Sequence, residues 1–100
     1  MADKRKFRIR QAADNDLLDI FAYGCENFGA DTAEAYIYRL EAGFRQLTEH
    51  PKLGRSIEQS IAGVRALPVV SHVVYYEVTD TTIEIIRILH NSMLPERHVV

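Results

Sequence analysis

Between residues 72 and 90 the chain reads His-Val-Val-Tyr-Tyr-Glu-Val, then Thr-Asp-Thr-Thr, then Ile-Glu-Ile-Ile-Arg-Ile-Leu-His. Two runs this rich in β-branched and aromatic residues, parted by four small polar ones, predict two strands and a turn. The turn lacks the Asn-Gly signal of a two-residue hairpin loop. Ahead of this block the period changes. Leu17, Ile20, Phe21, Gly24 and Phe28 fall on one helical stripe, and Ala33, Ile37, Leu40, Phe44 and Leu47 on a second. Strands collected after a helical pair call for an α+β fold, an antiparallel sheet covered by helices on one face.

The boundaries follow from local chemistry. Phe7 and Ile9 alternate with Lys6, Arg8 and Arg10, which predicts a first strand at or near a sheet edge. Asp14 and Asp16 supply a capping side chain and negative charge for the start of the first helix. That helix ends at Gly29. Asp31 or Thr32 is expected to cap the second helix, and Pro51 to stop it. With so short a link the helices fold back as an antiparallel hairpin. Residues 52–61 read as irregular, with Gly54-Arg55 as a turn. Gly63 to Leu67 reads as a short strand ended by Pro68, and Ile83 to Leu89, the most apolar strand, should lie centrally. The expected order is β-α-α-β-β-β in one domain over residues 1–100, with 91–100 as a C-terminal tail.

Twelve basic and fourteen acidic residues give a net charge of −2, which argues against a uniformly basic nucleic-acid binder. The charge is uneven: Lys4, Arg5, Lys6, Arg8 and Arg10 stand against Asp3 in the first ten residues. This cluster is either a polyanion contact or the wet face of an edge strand. Cys25 is the only cysteine, so no internal disulfide can form; it reads as a small packed thiol in a reducing cytosol. The chain lacks the apolar run of a signal peptide and the ~18 apolar residues of a membrane span. A soluble cytoplasmic protein is expected.

Candidate chemistry is sparse. His50, His72, His90 and His98 have no metal-like spacing, and no metal site is expected. Without a Gly-rich phosphate loop, a Gly-x-Ser-x-Gly turn or a paired-carboxylate motif, no cofactor is expected either. Alternation in the last strand puts Ile83, Ile85, Arg87 and Leu89 on one face, and Glu84, Ile86, Ile88 and His90 on the other. Arg87 then either pairs with a carboxylate such as Glu77 or Glu84, or binds phosphate. His90 is either a general acid or a strand-end residue with one hydrogen bond. Tyr36 and Tyr38 leave the apolar stripe on either side of Ile37, as core rim or as protein-contact anchors.

Several spaced motifs recur in a recognisable order. They are Ala13-x-x-Asp16-Leu17-x-x-Ile20-x-x-Tyr23, Ala33-x-x-Tyr36-x-x-x-Leu40, and Phe44-x-x-Leu47-x-x-x-Pro51-x-x-Gly54-Arg55. Gly63-x-Arg65, His72-x-x-x-Tyr76 and Ile85-Ile86-Arg87-Ile88-Leu89-His90 complete the set. Together they resemble the ParE branch of the RelE/ParE toxin superfamily of type II toxin–antitoxin modules. The resemblance implies a RelE-like fold, a helical hairpin packed on an antiparallel sheet. It implies a toxin that inhibits DNA gyrase by protein–protein binding and is neutralised by a ParD-like antitoxin. That antitoxin would wrap the toxin with its C-terminal part and bind operator DNA with its N-terminal part.

RelE-type relatives instead cleave messenger RNA on the ribosome. Arg65 and Arg87 fall where those relatives bind phosphate, and His90 falls near their acid. The residues of RelE-type cleavage are incomplete here, because the segment 52–61 holds only Lys52 and Arg55 and no base for the 2′-hydroxyl stands out. A non-enzymatic toxin is therefore expected, with ribosome-dependent RNA cleavage by Arg65, Arg87 and His90 as the alternative. An inactive antitoxin-binding co-repressor is a third. The resemblance further implies a target contact in the tail, at Asn91, Met93, Pro95 and Arg97. Removal of residues 92–100 is expected to leave the fold intact. Tyr23, Phe28, Tyr36 and Tyr38 are expected to line an antitoxin groove between the hairpin and the sheet edge.

Overall fold

In a computed structural model, which describes residues 5–99, two helices cover one face of a five-stranded sheet. The elements are β1 (Lys6–Ile9), α1 (Gln11–Phe28), α2 (Ala30–Glu49), β2 (Arg55–Ser56), β3 (Arg65–Val69), β4 (His72–Val78) and β5 (Thr82–His90). A 3-10 turn, Pro95–Arg97, follows. The sheet order is β1-β5-β4-β3-β2, antiparallel except that β1 runs parallel to β5. The α+β architecture is the expected one, and β1 is an edge as expected. β5 is paired on both sides, although β4 holds the middle place.

The hairpin is tight because glycine permits it twice. Gly29 alone joins the helices at φ 92°, ψ 159°, a region essentially reserved for glycine. Gly24 lets α1 close on α2, since a Cβ there would lie 2.9 Å from the Ala33 Cβ. Neither helix carries a side-chain cap, which corrects the capping expected of Asp14 or Asp16 and of Asp31 or Thr32, while Asp14 does supply the expected negative charge in the first turn of α1. α1 begins directly after β1, with Arg10 as its N-cap and the Arg10 amide donating to the Ile85 carbonyl. Gly29 itself caps α2, and His50 ends it ahead of Pro51.

Both faces of the sheet are buried over part of their area. Leu40, Phe44 and Leu47 of α2 pack on Val74, Tyr76, Ile83, Ile85 and Ile88, with Phe7 against Phe44 at 5.6 Å between rings. On the opposite face Ile57, Val64, Ala66, Tyr75, Ile86, Leu89 and Val99 form a second cluster. This double burial explains the near-continuous apolar run of β5.

The expected strict alternation of β5 is overturned by a bulge. Tyr75 pairs with Arg87 but Tyr76 pairs with Ile85, so Ile86 is the extra residue. Ile83, Ile85 and then Ile88 face the helices, while Ile86 and Leu89 face the second cluster. Arg87, opposite Tyr75, therefore does not share the face of Ile83 and Ile85.

Three further boundaries differ from expectation. β3 runs through Pro68 to Val69. β2 pairs only with Ala66 and Arg65, so the missing amide of Pro68 breaks no bond on that side. β2 itself is a two-residue strand inside the stretch read as irregular. The tail is also not loose: Val99 is buried, Met93 packs on the same cluster, and Arg87 Nη1 donates to the His98 carbonyl at 3.1 Å. Removal of residues 92–100 would uncover the second cluster, so the expectation of an intact truncated fold is corrected. Val100 lies outside the described residues, as do Asp3 and Lys4 of the basic N-terminal cluster. The rest of that cluster serves the sheet edge. Arg8 and Arg10 lie 3.8 and 3.6 Å from the buried Glu84 carboxylate, which also accepts from the Thr82 hydroxyl.

Candidate functional site

The tip of the helical hairpin overhangs the ends of β4 and β5, and a groove of about 610 Å³ opens beneath it. Ile20, Tyr23 and Phe28 of α1, Tyr36 of α2, His72 of β4 and His90 of β5 line it. Tyr23 and Phe28 meet edge-on at 6.4 Å between rings and are 63% and 66% exposed. An aromatic pair this open has the size and exposure that protein-contact anchors have. Deeper in, the Tyr36 hydroxyl lies 2.6 Å from His72 Nδ1 and accepts the Ser71 amide at 3.2 Å. The His72 ring stands edge-on to Tyr36 at 5.4 Å and to His90 at 5.5 Å. Burial, followed by the neighbouring His90, pushes the His72 imidazole below its ordinary pKa against a smaller opposing pull from Asp16. His72 is thus neutral at pH 7.

Tyr23, Phe28 and Tyr36 are therefore brought together as the sequence predicted. Tyr38 is not: two residues beyond Tyr36 it stands ~200° round the helix, outside the groove and 59% exposed. His72 and His90 were not foreseen as groove residues. They are cross-strand partners, and only the β4–β5 register reveals it.

Arg65, Arg87 and His90 are not brought together. Arg65 pairs with Tyr76, a residue of the helix-side core, and Arg87 with Tyr75, a residue of the opposite cluster. Directly paired residues share a face, so the two arginines leave the sheet on opposite sides. His90 pairs with His72, four residues along β4 from Tyr76, a distance of ~13 Å.

Each arginine also has local partners. Arg65 donates from Nε to the Gly54 carbonyl at 2.8 Å and from Nη2 to the Lys52 carbonyl at 3.3 Å. Tyr76 holds the same loop, donating to the Pro51 carbonyl at 2.7 Å and accepting the Gly54 amide at 2.9 Å. Arg87 does not pair with Glu77 or Glu84; Arg10 lies 3.6 Å from each of those carboxylates. Its partner is Asp16, which accepts from Arg87 Nε at 2.8 Å, from Nη2 at 2.9 Å and from the Ile88 amide at 2.9 Å. β1 leaves β5 after Ile85, so the Asp16 carboxylate occupies the edge where a strand would continue. The hydrogen bonds to Asp16 hold the Arg87 guanidinium above its ordinary pKa.

A second cavity, about 620 Å³, lies beside Arg65 and carries both signs of charge, Arg5 and Lys52 against Glu49 and Glu58. Among the described residues no group of three or more histidine, cysteine or acidic side chains could hold a metal ion. Among the same residues no helix is long and apolar enough to cross a membrane.

Residues 7–95 match the family described as "ParE toxin of type II toxin-antitoxin system, parDE". Toxin ParE1 of Caulobacter vibrioides is 37% identical over 95 residues, which cover 95% of this chain and 98% of that one. Toxin ParE1 of Mycobacterium tuberculosis is 30% identical over 95 residues, covering 94% and 97%. Among solved structures, a chain of the chromosomal ParDE system of P. aeruginosa superposes with a TM-score of 0.77 at 19% identity, over 87% of this chain and 96% of that one. A chain of the RelBE2 toxin–antitoxin complex of M. tuberculosis gives 0.65 at 21% identity, over 89% and 100%. At those identities the two structures speak for the fold.

Proposed function

Because this chain belongs to the ParE toxin family of type II toxin–antitoxin systems, we propose that it inhibits DNA gyrase by protein–protein binding and is neutralised by a ParD-like antitoxin. The observation that carries this reading is the dispersal of the cationic residues. RNA cleavage needs a base, an acid and phosphate-binding cations around one phosphate. Here Arg65 and Arg87 leave opposite faces of the sheet, each engaged by backbone or carboxylate oxygens. The built surface is instead the aromatic groove, whose open Tyr23–Phe28 pair suits a partner's apolar side chains. The antitoxin seats there, and operator DNA is reached only through the antitoxin.

The target contact lies on the segment carrying Asn91, Met93, Pro95 and Arg97. Val99 and the Arg87–His98 bond hold that segment against the sheet. A surface ordered in advance loses less entropy on binding. Asn91 and Arg97 are exposed and free to make the contact, while Met93 and Pro95 are half-buried and set its shape.

Induction of the chain in cells, with and without antitoxin, tests this reading. The expected result is a DNA-damage response with intact transcripts, reversed by antitoxin, lost in Arg97→Glu and kept in His90→Ala. Transcripts cut at the ribosome, with toxicity lost in His90→Ala, would overturn it.

A further inference from the structure

From Gln11 to Tyr38 the hairpin carries six carboxylates and no lysine, arginine or histidine. Asp16 is engaged by Arg87. The other five, Asp14, Asp19, Glu26, Asp31 and Glu34, are exposed and make no ion pair among the described residues. Asp19 lines the groove itself, and Glu26 and Asp31 flank the Phe28–Gly29 tip beside the open aromatic pair. The lysines and arginines of the described chain lie at Arg5, β1 and Arg10, at Arg39 and Arg45 farther along α2, in the loop after α2, on β2, β3 and β5, and at Arg97. The groove floor adds no positive charge from His72, whose ring is neutral at pH 7. An apolar slot is thus rimmed by uncompensated negative charge.

Resting on the reading of this groove as the antitoxin seat, we infer that the segment it takes is amphipathic and cationic. Bulky apolar side chains enter between Tyr23, Phe28 and Tyr36, and lysine or arginine side chains lie against Asp19, Glu26 and Asp31. Charge of this kind steers the encounter and rejects wrong partners more than it adds raw affinity. An acidic segment would meet like charge at the rim and be turned away. The antitoxin's acidic residues, where it has them, therefore sit outside this groove.

The test is the association rate and Kd of the purified cognate antitoxin with the full chain at pH 7.5, in 50 and 300 mM NaCl. Three variants accompany the wild type, each checked for native circular dichroism. Tyr23→Ala/Phe28→Ala probes the seat. Glu26→Lys/Asp31→Lys reverses the rim. Asp80→Lys, in the turn at the opposite end of β4 and β5, reverses one charge far from the groove and controls for position. The inference expects the wild-type association rate to fall several-fold between the two salt concentrations. The rim reversal should lower that rate ~10-fold or more at low salt and flatten its salt dependence, while Asp80→Lys leaves it within twofold. Unchanged or faster association in the rim reversal, with binding still weakened in the seat variant, overturns the charge inference alone. An unchanged Kd in the seat variant overturns the reading of the groove and the charge inference with it.

Discussion

Replacing Asp16 with alanine removes three hydrogen bonds in one step. Two come from the Arg87 guanidinium at 2.8 and 2.9 Å, and one from the Ile88 amide at 2.9 Å. Bonds to a charged group contribute roughly 1.5–3 kcal/mol each, and bonds that share one carboxylate do not add in full. The two side chains are 23% and 13% exposed, so water reaches the orphaned guanidinium in part. The cost therefore falls at the low end of the 3–5 kcal/mol of a fully buried pair, about 3 kcal/mol. In a domain of this size that lowers Tm by roughly 12–24 °C.

Urea unfolding followed by circular dichroism measures the change, with Asp16→Asn as the variant that keeps shape and one acceptor. Asn should fall between aspartate and alanine. In a cycle with Arg87→Met, the double variant should be less destabilised than the sum of the singles, because no unpaired charge is left behind. A loss under 1 kcal/mol for Asp16→Ala, or an additive cycle, would refute the argument and make Asp16 an ordinary surface carboxylate.

Other residues give independent checks. At Gly54 an added Cβ would lie 2.7 Å from the Ala66 carbonyl and 2.8 Å from the Tyr76 hydroxyl, so Gly54→Ala should cost about 1–3 kcal/mol in a denaturant titration. Tyr76→Phe strands the Pro51 carbonyl and Gly54 amide and should cost about 1–3 kcal/mol in the same titration. Val99→Ala removes two buried methyl groups from the second cluster and should lower stability by about 2 kcal/mol, although it stands one residue from the end. His72 titrates below its unfolded value, so the unfolded chain takes up its proton first. Stability should be level above pH 6.5, fall as pH drops from there, and level again below the folded pKa; His72→Gln should flatten that step.

The sequence made some parts of this molecule legible and hid others for identifiable reasons. Tyr23, Phe28 and Tyr36 could be read as neighbours because the one-residue link at Gly29 folds the helices back and brings their adjoining ends together, although Tyr23 and Phe28 stand ~140° apart round α1. Tyr38 was grouped with Tyr36 although helical phase parts the two, and the structure separates them. Asp16 looked like a helix-start signal because it stands near the beginning of α1; its real partner is 71 positions away, across an edge that local spacing does not describe. Strict alternation misplaced Arg87 because one extra residue, Ile86, resets the phase of β5. The tail looks dispensable in sequence because its apolar residues follow no helical or strand period, and the burial of Val99 depends on a second core formed largely by β3, β4 and β5. Parallel pairing of β1 with β5 was hidden for the same reason, since its partner lies at the far end of the chain.

The most direct measurement is a supercoiling and cleavage assay with purified gyrase, plasmid, ATP and the purified chain, with and without antitoxin. The account predicts lost supercoiling or trapped linear DNA, reversed by antitoxin, unchanged in His90→Ala and lost in Arg97→Glu. Gyrase that turns over normally at a large excess of folded chain would contradict it.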